Sequence, residues 1–205
     1  MTETEFTEEK ESFRSLRSQY ILELTGGAIF AALSGVFAWM ASILVRAGIG
    51  MAYFDPISIV WVLALFIFGP IASLICSVAG MLLLMPFDPF APIGPIMKFA
   101  ATITLMLVYV IALKLYKREP GVSKCIKLKS FKRFLILGLI ATVIRIGVMV
   151  VLNIIAYLGL GYAIEGLGAW LITTIILNAI QSIWDLAIPY IIVFGLKINE
   201  KFQIW

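Results

Sequence analysis

The segment FLILGLIATVIRIGVMVVLNIIAYL at residues 134–158 is almost wholly apolar, and Arg145 is its only charged residue. A helix that crosses the hydrocarbon core of a bilayer needs about 20 consecutive apolar residues. The apolar residues of this segment run continuously instead of forming the single stripe of a soluble amphipathic helix. Residues 134–158 therefore predict a transmembrane helix.

The rest of the chain has the same character. Of 205 residues, 62% are hydrophobic and 14% are charged, whereas about 25% are charged in an ordinary soluble domain. This composition excludes a water-soluble globule and predicts an all-α integral membrane protein.

Apolar runs and basic residues together predict the topology. Gly69-Pro70 favours a helix break inside one long run, which gives six spans and leaves five as the alternative. With six spans, both termini and the basic loop 114–133 lie on the same side of the membrane. These regions contain 13 of the 16 Lys and Arg residues. By the positive-inside rule that side is cytoplasmic. The predicted spans are about 24–45, 57–68, 71–85, 93–113, 134–158 and 170–196, within a membrane domain of residues 24–197.

The N-terminal segment 1–23 contains no apolar core of a signal peptide. Apolar residues recur at helical spacing over 13–24, which predicts a short helix in the membrane interface. A solvated tail is the alternative for residues 1–12. The net charge of +4 is explained by topology beside an anionic lipid bilayer, so no nucleic-acid partner is predicted.

The chain shows no signature of an enzyme. It contains no histidine, and it has no Walker A loop, GxGxxG motif, CxxC motif or paired-carboxylate metal motif. We therefore predict no catalytic residues, no metal and no cofactor, and any ATP hydrolysis is expected in partner subunits.

Two ionisable residues lie deep inside predicted spans. Arg145 follows Arg133 by twelve residues, and Asp185 precedes Lys197 by twelve, which places both about 18 Å from the cytoplasmic edge. Their equal depth predicts a structural ion pair between spans five and six. Pro189 cannot donate to the carbonyl of Asp185 and is expected to kink span six.

A second polar group is predicted nearer the outer side. Asn153, Asn178, Gln181 and Lys98 come from three spans and lie about 24–30 Å from the cytoplasmic edge. Amides both donate and accept, and a lysine suits an anionic or carbonyl-rich group. These four residues are the candidate ligand-binding site, with interhelical hydrogen bonding as the alternative.

The first span carries adjacent stripes of small residues. Such a smooth face lets another helix approach closely, either within the bundle or in a partner subunit. The candidate docking residues are Gly27, Ala28, Ala31, Ala32 and Gly35.

Several segments together resemble a known family over about residues 25–197. They are AIFAALSGV at 28–36, FDP at 54–56 with FGPIAS at 68–73, IGPIMKFAAT at 93–102, VLNIIAYLGLGY at 151–162 and LNAIQSIWDL at 177–186. These segments resemble the S components of energy-coupling factor vitamin transporters, in particular the riboflavin-binding type.

The resemblance implies a fold and a function. A six-helix bundle in a prokaryotic cell membrane would capture riboflavin or a related vitamin from outside. It would associate through span one with a membrane T component and two ATP-binding-cassette ATPases. By the resemblance, Asn153 and Asn178 fall on flavin-binding positions, while Gln181 replaces the usual lysine and Lys98 is a candidate to compensate.

Two other functions are compatible with the residues. A stand-alone secondary transporter of a small polar metabolite would need a titratable coupling site, for which Arg145 and Asp185 are the candidates. A structural membrane subunit would bind no small ligand.

Overall fold

The computed structural model describes residues 3–43, 54–116 and 124–198, with side chains over 17–40, 54–116 and 125–198. The described residues form helices and no strand. Short 3₁₀ segments cover Lys124–Lys129 and Ile164–Gly166. The described ranges contain six α-helices: α1 (Glu3–Ile43), α2 (Pro56–Phe68), α3 (Pro70–Leu84), α4 (Ile93–Leu115), α5 (Phe131–Gly159) and α6 (Leu167–Tyr190).

Four helical stretches are long and apolar enough to cross a membrane. They are Arg17–Met40, Ile93–Leu115, Phe131–Gly159 and Ile164–Gly195. The helices α2 and α3 are apolar but have only 13 and 15 residues. The described part of the chain is therefore a membrane-embedded helical bundle, with four full-length helices and two short ones.

The N-terminal segment and the first span form one continuous helix. α1 runs without interruption over 41 residues, so residues 13–24, expected to form a separate short helix, belong to α1. Residues 3–12, for which a solvated tail is the alternative, are helical as well.

The junction between α2 and α3 lies at the predicted Gly-Pro pair. Gly69 has φ 104°, a backbone conformation that favours glycine. Its N–H donates to the carbonyls of Ala64 and Leu65 at the end of α2. Pro70 then occupies the first turn of α3, where its missing N–H costs no helical hydrogen bond. The predicted helix break is confirmed.

α2 is the central helix of the bundle. Every residue of Pro56–Phe68 is buried, as expected for a helix that is apolar on all sides. Its neighbours are α1, α3, α4 and α6. α3 instead exposes one face, with Leu74 and Leu82 51% and 56% exposed. A Gly-Pro break predicts two short helices that bury each other, but only α2 is fully enclosed.

Aromatic residues pack around the C-terminal end of α2. Phe66 lies 5.3 Å from Tyr109 and 5.7 Å from Phe134, measured between ring centroids. The lysine-rich segment Lys124–Lys129 covers the same end, with Leu128 buried at 1% exposure. We call this the basic end of the bundle, and α2 points its C-terminus toward it.

α1 packs along α3 through part of its small-residue stripe. Gly27 is buried against the backbone of Ala72, and Ala31 is 8% exposed. Ala28 and Ala32 lie on the exposed side, and Gly35 faces Leu83 of α3. Gly27, Ala31 and Gly35 are thus involved in intramolecular packing, and only Ala28 and Ala32 remain on an outward face.

The last span changes its hydrogen-bonding pattern near Pro189. Pro189 lies inside α6, which passes directly into a π-helical turn over Ile191–Gly195. The N–H of Leu196 donates to the carbonyl of Ile191. Proline removes one helical donor, and a wider turn nearby is a common adjustment.

Candidate functional site

Arg145 of α5 bonds three polar side chains on one face of α6. Its Nη1 donates to Asp185 Oδ2 at 2.6 Å, and neither side chain is more than 2% exposed. This is the ion pair that the equal depth of the two residues predicts. A buried pair of this kind is stable only when the remaining donors and acceptors are also satisfied.

The other nitrogens of Arg145 bind the two amides of the same α6 face. Nε donates to Asn178 Oδ1 at 3.1 Å, and Nη2 donates to Gln181 Oε1 at 3.1 Å. The three α6 residues lie three and four positions apart and so share one face. Two of the three predicted outer amides, Asn178 and Gln181, therefore form one cluster with the predicted inner ion pair, because the long arginine side chain reaches both depths.

Ser58 of α2 lies between Asp185 and the backbone of Asp55. Its Oγ lies 2.6 Å from Asp185 Oδ1 and 3.1 Å from the carbonyl oxygen of Asp55. A hydroxyl has one proton, so Ser58 can donate to only one of these acceptors at a time. The side chain of Asp55 accepts from the N–H of Ile57 at 3.1 Å, which makes Asp55 the N-cap of α2.

Lys98 of α4 completes the network. Its Nζ forms a salt bridge with Asp55 Oδ2, and the Lys98 and Asp55 side chains are 18% and 3% exposed. Lys98 therefore contacts a carboxylate that the sequence analysis did not consider. We call the seven residues joined by these contacts the charged network: Asp55, Ser58, Lys98, Arg145, Asn178, Gln181 and Asp185.

The charged network lies partway along the bundle, at the N-terminus of α2. This short helix starts inside the bundle and not at its surface. Asp185 is ten residues from Gly195, or about 15 Å along the helix, and the N-terminus of α2 adjoins it through Ser58. α2 fills the centre of the bundle only between this level and the basic end. Helices that begin inside a membrane protein place their N-terminal N–H groups beside polar ligands or side chains; here Asp55 occupies that position.

Asn153 belongs to a different group of contacts. Its Oδ1 accepts from Trp170 Nε1 at 3.0 Å, and its Nδ2 donates to the carbonyl of Met149 at 2.8 Å. Trp170 packs on Tyr157 and Tyr162, with ring centroids 5.5 and 6.1 Å away. Of the four predicted ligand-binding residues, only Asn178 and Gln181 share a partner.

Two buried hydroxyls beside the network make no hydrogen bond among the described residues. Thr102 lies one turn beyond Lys98, and Thr174 lies one turn before Asn178. Both residues are 0% exposed. Asn178 donates through Nδ2 to the carbonyl of Thr174 at 2.9 Å, so this threonine contributes its backbone but not its hydroxyl.

The network is electrically balanced. It contains two carboxylates, Asp55 and Asp185, and two cations, Lys98 and Arg145, with each cation bonded to one carboxylate. The described residues contain no group of three or more His, Cys, Asp or Glu side chains that could hold a metal. The site offers hydrogen-bond donors, hydrogen-bond acceptors and paired charges.

Asp55 and Ser58 are the network residues that sequence reasoning missed. The signal was an N-cap pattern: an aspartate, then proline at the first helical position, then serine. The short run after it, residues 57–68, is too short to reach across the membrane from a surface-exposed start. These two facts together indicate a polar helix start inside the bundle.

Comparison with protein-family models, curated proteins and solved structures finds no match for this chain.

Proposed function

We propose that this protein is a solute-binding membrane subunit of the S component type, which captures riboflavin or a related vitamin from outside the cell. In this proposal the chain crosses the membrane six times with both termini in the cytoplasm. A membrane T component and two ATPases use ATP to drive release of the solute. The chain itself catalyses no reaction.

The observation that supports solute binding is the charged network in the interior of an apolar bundle. Four helices contribute seven polar side chains to it, and Arg145 and Asp185 are nearly inaccessible. Ionisable residues inside membrane segments are costly and by default indicate a functional site. Ordinary packing of six apolar helices does not require two ion pairs at one level.

The level of the network supports capture from the side opposite the basic end. α2 fills the centre on the basic side of Ser58, as shown by its burial and by Phe66 against Phe134. Lys98 retains 18% exposure, and Gln181 is partly exposed. A solute that approaches from the opposite end would therefore meet Lys98 and Gln181 before the enclosed pair of Arg145 and Asp185.

Riboflavin binding by the purified protein tests the proposal. We expect quenching of flavin fluorescence at micromolar riboflavin, and riboflavin or a related compound among small molecules that co-purify and are identified by mass spectrometry. Gln181→Ala is expected to weaken binding, whereas Thr173→Ala, on the same helix but outside the network, is the matched control. Absence of both quenching and a co-purifying vitamin would contradict the proposal.

Ion-coupled transport without partner subunits is a second candidate function. The sequence predicts one carboxylate at this level, Asp185, whereas the structure places two, Asp55 and Asp185, in one network. A second carboxylate favours ion-coupled transport, because it adds a group that could bind a proton or a cation. Uptake of the solute into vesicles that contain only this protein would support it. Uptake that requires added ATPase subunits would favour the S component.

A further inference from the structure

The charged network also bears on the class of solute that it accepts. Lys98 and Asp55 form one pair, and Arg145 and Asp185 form another. Ser58 lies between them, with its Oγ 2.6 Å from Asp185 Oδ1 and 3.1 Å from the backbone carbonyl oxygen of Asp55. The formal charge of the four ionised groups sums to zero. In an apolar interior an additional uncompensated charge is strongly disfavoured.

Arg145 determines which ends of the amides face the solute. A guanidinium can only donate, so the oxygens of Asn178 and Gln181 must face it, as they do at 3.1 Å. The –NH₂ groups consequently point away from Arg145. Asn178 uses its own on the carbonyl of Thr174.

Lys98 places N–H donors at an accessible edge of the network. Its ammonium group carries three N–H bonds, it is 18% exposed, and it is paired with an almost fully buried carboxylate. The accessible edge therefore presents donors whose positive charge is already compensated. Such an edge is complementary to neutral acceptors such as ring carbonyls and ring nitrogens.

We infer that Asp55 is a specificity-determining residue: its carboxylate is the built-in counter-ion of Lys98, so the site accepts an uncharged solute rich in hydrogen-bond acceptors and rejects free anions. This inference rests on the proposed function, because it takes the charged network as the solute site. The sequence left two kinds of ligand group open for Lys98, anionic or carbonyl-rich. The inference favours a carbonyl-rich group.

Asp55→Asn is the decisive variant. Asparagine keeps the side-chain oxygen that caps α2, but the negative charge is lost and the network becomes positive by one. Chloride is the probe, titrated against gluconate at constant ionic strength, with the thermal unfolding midpoint as the readout. We expect a saturable rise of the midpoint with chloride for Asp55→Asn and none for the wild type.

Glu165→Gln is the matched control, since it makes the same charge change in the exposed turn before α6. It should be indifferent to chloride. An equal chloride effect in the wild type, in Glu165→Gln and in Asp55→Asn would overturn the inference. So would a folded Asp55→Asn protein that shows no chloride effect.

Lys98→Gln tests the same claim if Asp55→Asn does not fold. This variant leaves Asp55 without its cation, so its unfolding midpoint should rise with sodium relative to N-methyl-glucamine, and no such rise would overturn the inference. The two proposals fail separately. Wild-type protein that does not bind riboflavin contradicts only the proposed vitamin, whereas riboflavin binding combined with no ion effect in either variant contradicts only the role of Asp55.

Discussion

Arg145 on α5 and Asp185 on α6 are joined by a 2.6 Å bond between Nη1 and Oδ2, with both side chains at most 2% exposed. Asp185 Oδ1 is in turn 2.6 Å from Ser58 Oγ. One carboxylate thus ties three helices together. The stability of the bundle is expected to depend on it more than on any single apolar contact nearby.

Removal of the negative charge should therefore destabilise the protein. Asp185→Asn leaves the Arg145 guanidinium buried without its anion, a change that costs about 3–5 kcal/mol in comparable buried pairs. The measurement is the unfolding midpoint in detergent. Glu165→Gln, in the exposed turn before α6, is the control and should be neutral.

The exchange of the two residues tests the pairing itself. An Arg145→Asp and Asp185→Arg double variant should recover part of the loss, because the pair is restored. Recovery should be incomplete, since an aspartate at position 145 cannot donate to Asn178 and Gln181. A double variant no more stable than the single variants would refute the pairing.

A lysine at position 181 should be poorly tolerated. Gln181 Oε1 accepts from Arg145 Nη2 at 3.1 Å, and Gln181→Lys would place a second cation there in place of an acceptor. Loss of a hydrogen bond to a charged group alone costs about 1.5–3 kcal/mol, and charge repulsion adds to this. Gln181→Met removes the bond without the repulsion, so it should unfold at a temperature between those of the wild type and the lysine variant.

Gly80 of α3 should not accept even one methyl group. A Cβ at this position would lie 2.9 Å from Cε2 and Cζ2 of Trp61. Trp61 is 0% exposed and is held by a hydrogen bond from Nε1 to Ser34 Oγ, so the ring cannot move aside. Gly80→Ala should destabilise by about 1–3 kcal/mol through overpacking.

Gly147 of α5 provides the matched control for this substitution. Nothing lies within 4 Å of the position that a methyl group would take there, and the residue is exposed. Gly147→Ala should be neutral or stabilising by up to about 1 kcal/mol, because alanine favours the helix. Equal effects of the two substitutions in thermal unfolding would contradict the assigned packing of Trp61.

Cys125, in the segment at the basic end, should be unreactive in the folded protein. It is 1% exposed, and burial raises the pKa of its thiol from 9.0 to about 12. Alkylation at pH 8, followed by peptide mass spectrometry, should label it only after unfolding. A cysteine placed at the exposed neighbour Ile126 in a Cys125→Ala background is the control and should react readily.

The raised pKa of Cys125 also predicts how the stability of the fold changes with pH. The folded state holds the thiol proton more tightly than the unfolded state, so the contribution of Cys125 to stability is complete below pH 9.0 and is lost as the pH rises toward 12. Cys125→Ala should flatten that part of the unfolding curve. An unchanged alkaline slope would show that other groups are responsible.

The sequence predicted that the chain forms long apolar helices and that Arg145 is the partner of Asp185, because both depend on position along a helix. Runs of apolar residues locate helices, and a count of 1.5 Å per residue places Arg145 and Asp185 at one level. The helix break at Gly69-Pro70 was also predictable, since glycine is favoured just after a helix ends and proline at the first position of the next helix.

The lateral arrangement of side chains was not predictable in the same way. Depth alone grouped Lys98 with Asn153 and Asn178, but rotation of α4 about its axis turns Lys98 toward Asp55. Similarly, Gly27 and Ala28 are adjacent in sequence, yet Gly27 packs against α3 and Ala28 is exposed. Which face meets which neighbour depends on the packing of all six helices at once.

The enclosure of α2 has a consequence for how the protein enters a membrane. At 1.5 Å per residue its 13 residues extend about 20 Å, less than the roughly 30 Å of hydrocarbon, so α2 cannot settle in lipid as an independent stable helix. Its polar start, Asp55 and Ser58, needs Lys98 and Asp185 from helices that are synthesised later. Insertion of α2 must therefore be completed after α4 and α6 are in place, and biogenesis of this bundle cannot proceed one finished helix at a time in chain order.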